Sequence, residues 1–134
     1  MLIVTHGEIG TALLESARQI LAVEVPQVAT LSVWRQDDPD DLVLRARELL
    51  DGIDGGDGVL VLTDIFGATP GNVVSRLLED GRVEGVSGVS LPMLLRVLTG
   101  RNGSSGKLRA AVQRALSGGA EGVVHMNSDR CLDA

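Results

Sequence analysis

"VLVLTDIFGATPGN", residues Val59–Asn72, decides the class of the fold. It opens with a near-continuous apolar run, Val59 to Thr63. A strand with one wet face alternates apolar and polar residues, and this one does not. The run therefore predicts a parallel strand covered by helices on both faces. Asp64 follows at its carboxyl end. The chain then turns through "IFGATPGN", with Thr69 expected as N-cap and Pro70 as the first residue of a helix. Val73, Val74, Leu77 and Leu78 supply that helix with its apolar side.

The same grammar extends in both directions. Leu2 to Thr5 reads as strand one. Ile9, Ala12, Leu13, Ala17, Ile20 and Leu21 recur at helical spacing, so a helix runs from about Glu8 to Ala22. Gln27 to Val33 reads as strand two. Asp38 then caps a helix that starts at Pro39 and carries Leu42, Ala46, Leu49, Leu50 and Ile53 inward. Past the central stretch, Val83 to Val89 is a weaker strand broken by Gly85 and Gly88. "SLPMLLRVL" (90–98) is a fourth helix, "TGRNGSSG" (99–106) a loop and "KLRAAVQRAL" (107–116) a fifth helix. "GVVHM" (122–126) reads as a last strand. Strands alternating with helices predict an α/β fold with a doubly wound, mainly parallel sheet and helices on both faces. Residues 1–134 read as a single domain.

Composition narrows the chemistry. The chain has 134 residues, long enough for a core without disulfides or metals. Hydrophobic residues make up 44%, yet there is one Trp, one Phe and no Tyr, so the core is aliphatic. A net charge of −6 repels phosphate backbones and argues against nucleic acid as a partner. The lone Cys131 permits neither an internal disulfide nor a cysteine-rich zinc site. There is no basic n-region with a signal-length apolar stretch, and no run near the ~20 apolar residues of a membrane span. A cytoplasmic protein without direct membrane insertion is expected.

In sheets of this kind ligands bind outside the carboxyl ends of the strands. His6 follows strand one and Asp64 follows strand three. If those strands are neighbours, the two residues meet. A neutral histidine is a nucleophile through one nitrogen when the other carries the proton. A carboxylate that holds the protonated nitrogen orients the ring and stabilises the cation that forms. The Thr69 hydroxyl and the backbone around Gly7, Gly67 and Ala68 are candidates to bind a phosphoryl group. Such a site needs no metal and no cofactor. Each residue also has a plainer role: His6 structural, Asp64 a turn cap, Thr69-Pro70 a helix start, the glycines turn geometry. His125 is read as structural, and Trp34 as packing or interface rather than ligand stacking. Arg96, Arg101, Lys107, Arg109 and Arg114 read as a solvated surface that could face an acidic partner.

"IVTHGEIG", "LVLTDIFGATPGN" and "GVSLPMLL" resemble, in order and at the expected separations, the three signature stretches of the mannose-class IIA components of the phosphoenolpyruvate:sugar phosphotransferase system. The resemblance covers roughly Leu2 to Leu98. It implies a phosphocarrier and phosphotransferase. His6 would take a phosphoryl group from the carrier HPr and pass it to a IIB component. Asp64 would hold the ring, and Thr69 would lie beside the phosphoryl group. It implies strand order 2-1-3-4, and a homodimer formed by exchanging a C-terminal edge strand, here "GVVHM". It also implies association with the membrane subunits IIC and IID; because the sequence ends soon after the last strand with no linker onward, a stand-alone IIA with no fused IIB is expected. Ala68, Thr69, Gly71 and Ser90 depart from the residues usual in the family. Gly71 and Ser90 bear on partner identity more than on chemistry. Docking with water excluded calls for a flat apolar face, for which Ile9, Ile65 and Phe66 are the candidates.

Three other classes are open, of which the first uses the same site chemistry as sugar uptake and the other two fit the residues less well. The same phosphohistidine could report phosphoenolpyruvate status to a non-transport partner. A histidine phosphatase would carry Arg where Thr5 stands, and would need His125 as a second catalytic histidine. A receiver domain would carry an acidic pair after strand one, which "THGE" does not supply.

Overall fold

The computed structural model describes residues 1–25, 27–100 and 107–129. Arg101, most of the 99–106 loop and Cys131 lie outside them. The elements run β1 (Leu2–His6), α1 (Ile9–Leu21), β2 (Ala29–Val33), α2 (Pro39–Ile53), β3 (Val59–Thr63) and α3 (Thr69–Ser75). Then come β4 (Val83–Ser87), α4 (Leu91–Thr99), α5 (Lys107–Glu121) and α6 (Met126–Asp129). All strand pairs are parallel, in the order β2-β1-β3-β4. The expected doubly wound sheet is present, with β1 and β3 as central neighbours.

The two central strands are buried on both faces, as their apolar runs require. Side chains alternate between two cores. Leu2, Val4, Val59 and Val61 join Leu42, Val43, Ala46 and Leu50 of α2 and Val73 and Val74 of α3. Ile3, Leu60 and Leu62 join Leu14 and Ala17 of α1, Met93, Leu94 and Val97 of α4, and Ala115 of α5. The core is aliphatic throughout.

Local chemistry sets the helix starts. Asp38 caps α2 by accepting from the Asp40 N–H at 2.9 Å, with Pro39 opening the helix. Ser90 accepts from the Met93 N–H at 3.3 Å and caps α4. In α1 the capping oxygen comes from the sheet. The buried Thr5 Oγ1 accepts from the Gly10 N–H at 2.8 Å. Thr5→Val keeps the shape but leaves that N–H buried and unpaired. It is expected to lower stability by about 1–3 kcal/mol, read from denaturant unfolding.

The C-terminal segment differs from its expected form. Residues 122–126 are not a strand. α5 continues to Glu121, and α6 begins at Met126. Ala115 and Gly118 are buried, Gly118 lies close against α4, and Arg96 pairs with Glu121, so the helix is held well past Leu116. Beyond it Val123 is 84% exposed and meets no strand edge among the described residues. β-propensity expresses itself only where a sheet edge is available.

Candidate functional site

β1 and β3 end on the same edge of the sheet, and their pairing brings together residues 58 positions apart. His6 Nδ1 lies 2.8 Å from Asp64 Oδ2, and the His6 backbone N–H donates to the same oxygen at 3.0 Å. The other carboxylate oxygen, Oδ1, accepts from the Ile65 N–H at 3.0 Å and the Thr63 hydroxyl at 3.4 Å. Asp64 is thus held at both oxygens. Its side chain is 13% exposed, whereas that of His6 is 49% exposed.

Burial is the largest single influence on the Asp64 carboxyl and acts to raise its pKa. The hydrogen bonds from the His6 ring and backbone, with the ring's charge, together outweigh it and hold the group below its ordinary value of 3.8. Asp64 is therefore ionised at neutral pH. An ionised carboxylate only accepts, so the proton between it and the ring sits on Nδ1. In the neutral ring Nε2 then carries the free lone pair. The pair is an oriented imidazole with a nucleophilic nitrogen turned away from its carboxylate.

The turn after β1 is as constrained as the pair. Gly7 adopts φ +48°, a region open to glycine at no steric cost, and its N–H donates to the Val33 carbonyl at 2.9 Å. A β-carbon at Gly7 would lie 3.3 Å from Trp34 Cζ3. Gly71 answers a different demand. A β-carbon there would lie 2.8 Å from the Ile65 carbonyl oxygen, so its absence lets the segment after Asp64 settle onto α3.

Gly67, Ala68 and Thr69 join β3 to α3 at this same edge. Thr69 is not the N-cap. Ala68 holds that position with extended backbone, no side chain caps the helix, and Thr69 is its first residue. Pro70 is consequently second. A threonine inside the first turn need not spend its hydroxyl on capping, and Thr69 is exposed. No hydrogen bond joins Thr69 to His6 among the described residues. Ile9, Ile65 and Phe66 are all exposed, Phe66 by 80%, so none of them belongs to the core. Trp34 and Thr5 also touch the site's supports. Sequence periodicity could not single them out, because each matters through a cross-strand or strand–helix neighbour. His125 bonds Ser128 Oγ at 2.9 Å, a local contact next to α6. Arg96 and Lys107 are partnered by Glu121 and Asp57. A cavity of about 220 Å³ opens at the opposite edge of the sheet, lined by Met1, Leu60, Lys107 and Arg114 among others. It shares no residue with the His6 edge.

Known proteins resemble this chain over most of its length. The family described as "PTS system fructose IIA component" matches residues 1–116. The mannose-specific EIIAB component of Escherichia coli K12 is 31% identical over 120 residues, covering 89% of this chain and 36% of that protein. The fructose-specific EIIA component of Bacillus subtilis is 35% identical over 95 residues, covering 70% of this chain and 64% of that one. The chain thus spans about a third of the length of the EIIAB relative. Among solved structures, the phosphotransferase system component EIIA of Streptococcus agalactiae superimposes with a TM-score of 0.82 at 25% identity. The match covers 95% of this chain and 96% of that one.

Proposed function

The chain belongs to the mannose/fructose IIA family of the phosphotransferase system, and from that premise we propose that it is a phosphocarrier working through Nε2 of His6. The observation that carries the proposal is the grip of Asp64 Oδ2 on Nδ1 at 2.8 Å beside a half-exposed ring. The donor is the phosphohistidine of HPr. The Nε2 lone pair attacks its phosphorus, and the donor's P–N bond breaks. The donor imidazole leaves with that electron pair. The proton on Nδ1 stays in place, and Asp64 balances the positive charge that grows on the His6 ring. The reverse geometry passes the group on to a IIB component, in support of sugar uptake.

Little covalent work is asked of the protein. Bonds broken and formed are both phosphoramidates, so positioning and charge stabilisation govern the rate. Gly67, Ala68 and Thr69 receive the phosphoryl oxygens, and Gly7, whose N–H is spent on the Val33 carbonyl, leaves room beside the imidazole. Ile9, Ile65 and Phe66 form the apolar rim that excludes water once a partner docks. We assign the protein to the cytoplasm, alongside membrane IIC and IID subunits. Among the described residues no helix is long and apolar enough to cross a membrane. Among the described residues β4 ends the sheet, its outer side bridged only between Glu79 and Val83, and Val123, Val124 and Met126 are exposed. These features support a homodimer in which the C-terminal segment reaches a second copy.

The direct test is intact mass after incubation with phosphoenolpyruvate, enzyme I and HPr. One acid-labile phosphoryl group per chain, mapped to the peptide that contains His6, is the expected result. A folded chain that gains no phosphoryl group from a working donor system would overturn the proposal.

A further inference from the structure

We infer that Trp34 docks the phosphorylated donor carrier over His6, closing the face on the side that Asp64 leaves open. The inference rests on the transfer reading above. In the sheet order, β3 lies on one side of β1 and β2 on the other. His6 is in register with Val33, so Trp34 is the next residue beyond that level on β2's side. Asp64 flanks the nucleophile from β3. Trp34 flanks it from β2.

Two observations separate this indole from ordinary packing. It belongs to neither core cluster, and it is 46% exposed in a protein whose core is otherwise aliphatic. Its backbone is nevertheless anchored, and its ring lies against the turn after β1. Its backbone N–H donates to Asp37 Oδ2 at 2.8 Å, and its carbonyl accepts from the Asp37 N–H at 3.0 Å. The edge of its six-membered ring overlies Gly7. A large aromatic surface held in place before a partner arrives loses little entropy on docking. Such residues carry a large share of binding energy at protein interfaces.

The occupant follows from position. Trp34 completes an apolar rim with Ile9, Ile65 and Phe66 around an imidazole that must receive a phosphoryl group. The surface that first lands on this rim has to present a phosphohistidine. It therefore belongs to the donor carrier.

The test compares wild type, Trp34→Phe and Trp34→Ala in initial rates of transfer from phosphorylated HPr at varied concentration. Trp34→Ala is expected to raise KM about tenfold, the change that about 1.4 kcal/mol of lost binding produces. Its kcat should stay within about threefold of wild type. Trp34→Phe keeps an aromatic surface and should raise KM by about threefold at most. Every variant should still reach the wild-type end point. Because Trp34 is the one tryptophan of the chain, its emission should also shift to shorter wavelength when a tryptophan-free HPr binds. An unchanged KM in both variants with no emission shift overturns the docking role while leaving transfer intact. A KM effect confined to transfer toward IIB overturns the assignment of the donor as occupant. If wild type itself gains no phosphoryl group, the transfer reading fails and the docking role falls with it.

Discussion

His6→Ala is expected to take up no phosphoryl group from HPr at any incubation time, with a thermal midpoint close to that of wild type. The loss is expected to be complete because the substitution removes the atom proposed to form the new bond. Slower turnover is not an available fallback, since no second histidine is bonded to the Asp64 carboxylate. The fold survives for a reason visible in the site. The backbone N–H of residue 6 still donates to Asp64 Oδ2, and the Ile65 N–H still donates to Oδ1. The side chain that disappears is half exposed, and such changes usually move stability by little. Intact mass and a melting curve on one sample check both halves. Stoichiometric uptake by the variant would remove His6 from the mechanism.

Asp64→Asn behaves differently. It is expected to reach the same end point about 10³- to 10⁴-fold more slowly, the scale seen when a carboxylate that orients a histidine becomes an amide. The amide can turn its NH2 toward Nδ1. The ring proton then moves to Nε2, where the lone pair was needed. The amide also cannot balance the charge that grows on the ring. Rapid-mixing measurement of transfer from phosphorylated HPr separates this slow variant from the inert His6→Ala. A rate within tenfold of wild type would mean that the carboxylate serves the turn alone. The pH dependence of stability gives an independent check. The Asp64 carboxyl is held below 3.8 in the folded chain, so its contribution is complete above that value. It is lost as the pH falls through the folded pKa. Wild type should therefore shed more stability than Asp64→Asn on acidification below about pH 4.

Much of this edge was legible in the residues themselves. The unbroken apolar run of β3 announced burial on both faces, and the alternation of elements announced a parallel sheet. The meeting of His6 with Asp64 needed one further fact, that β1 and β3 are neighbours. Periodicity cannot supply it, and the three ordered motifs did. Thr69 was misplaced by one residue. Ala68 lacks any capping group, yet its extended backbone serves as the cap position. "GVVHM" misled for a related reason. Its pattern suits a strand, but the described sheet ends at β4 and the segment stands exposed. The part played by Gly71 stayed obscure because it exists only across space, beneath a loop carbonyl. Trp34 reads as packing or interface from the residues alone, but its place over the neighbouring turn needed the fold.

The separation of His6 from Asp64 along the chain has a consequence for how activity is acquired. His6 ends β1 and Asp64 follows β3, strands that pair directly, but β2 and two helices are made between those two strands. Contacts of such long sequence separation form late and close a large loop. A nascent chain presents His6, the proposed nucleophile, well before Asp64 is made. It cannot orient that nucleophile until β3 has emerged and seated beside β1. Competence for transfer is thus withheld from incomplete chains, and the appearance of an oriented imidazole marks the closing of the centre of the sheet.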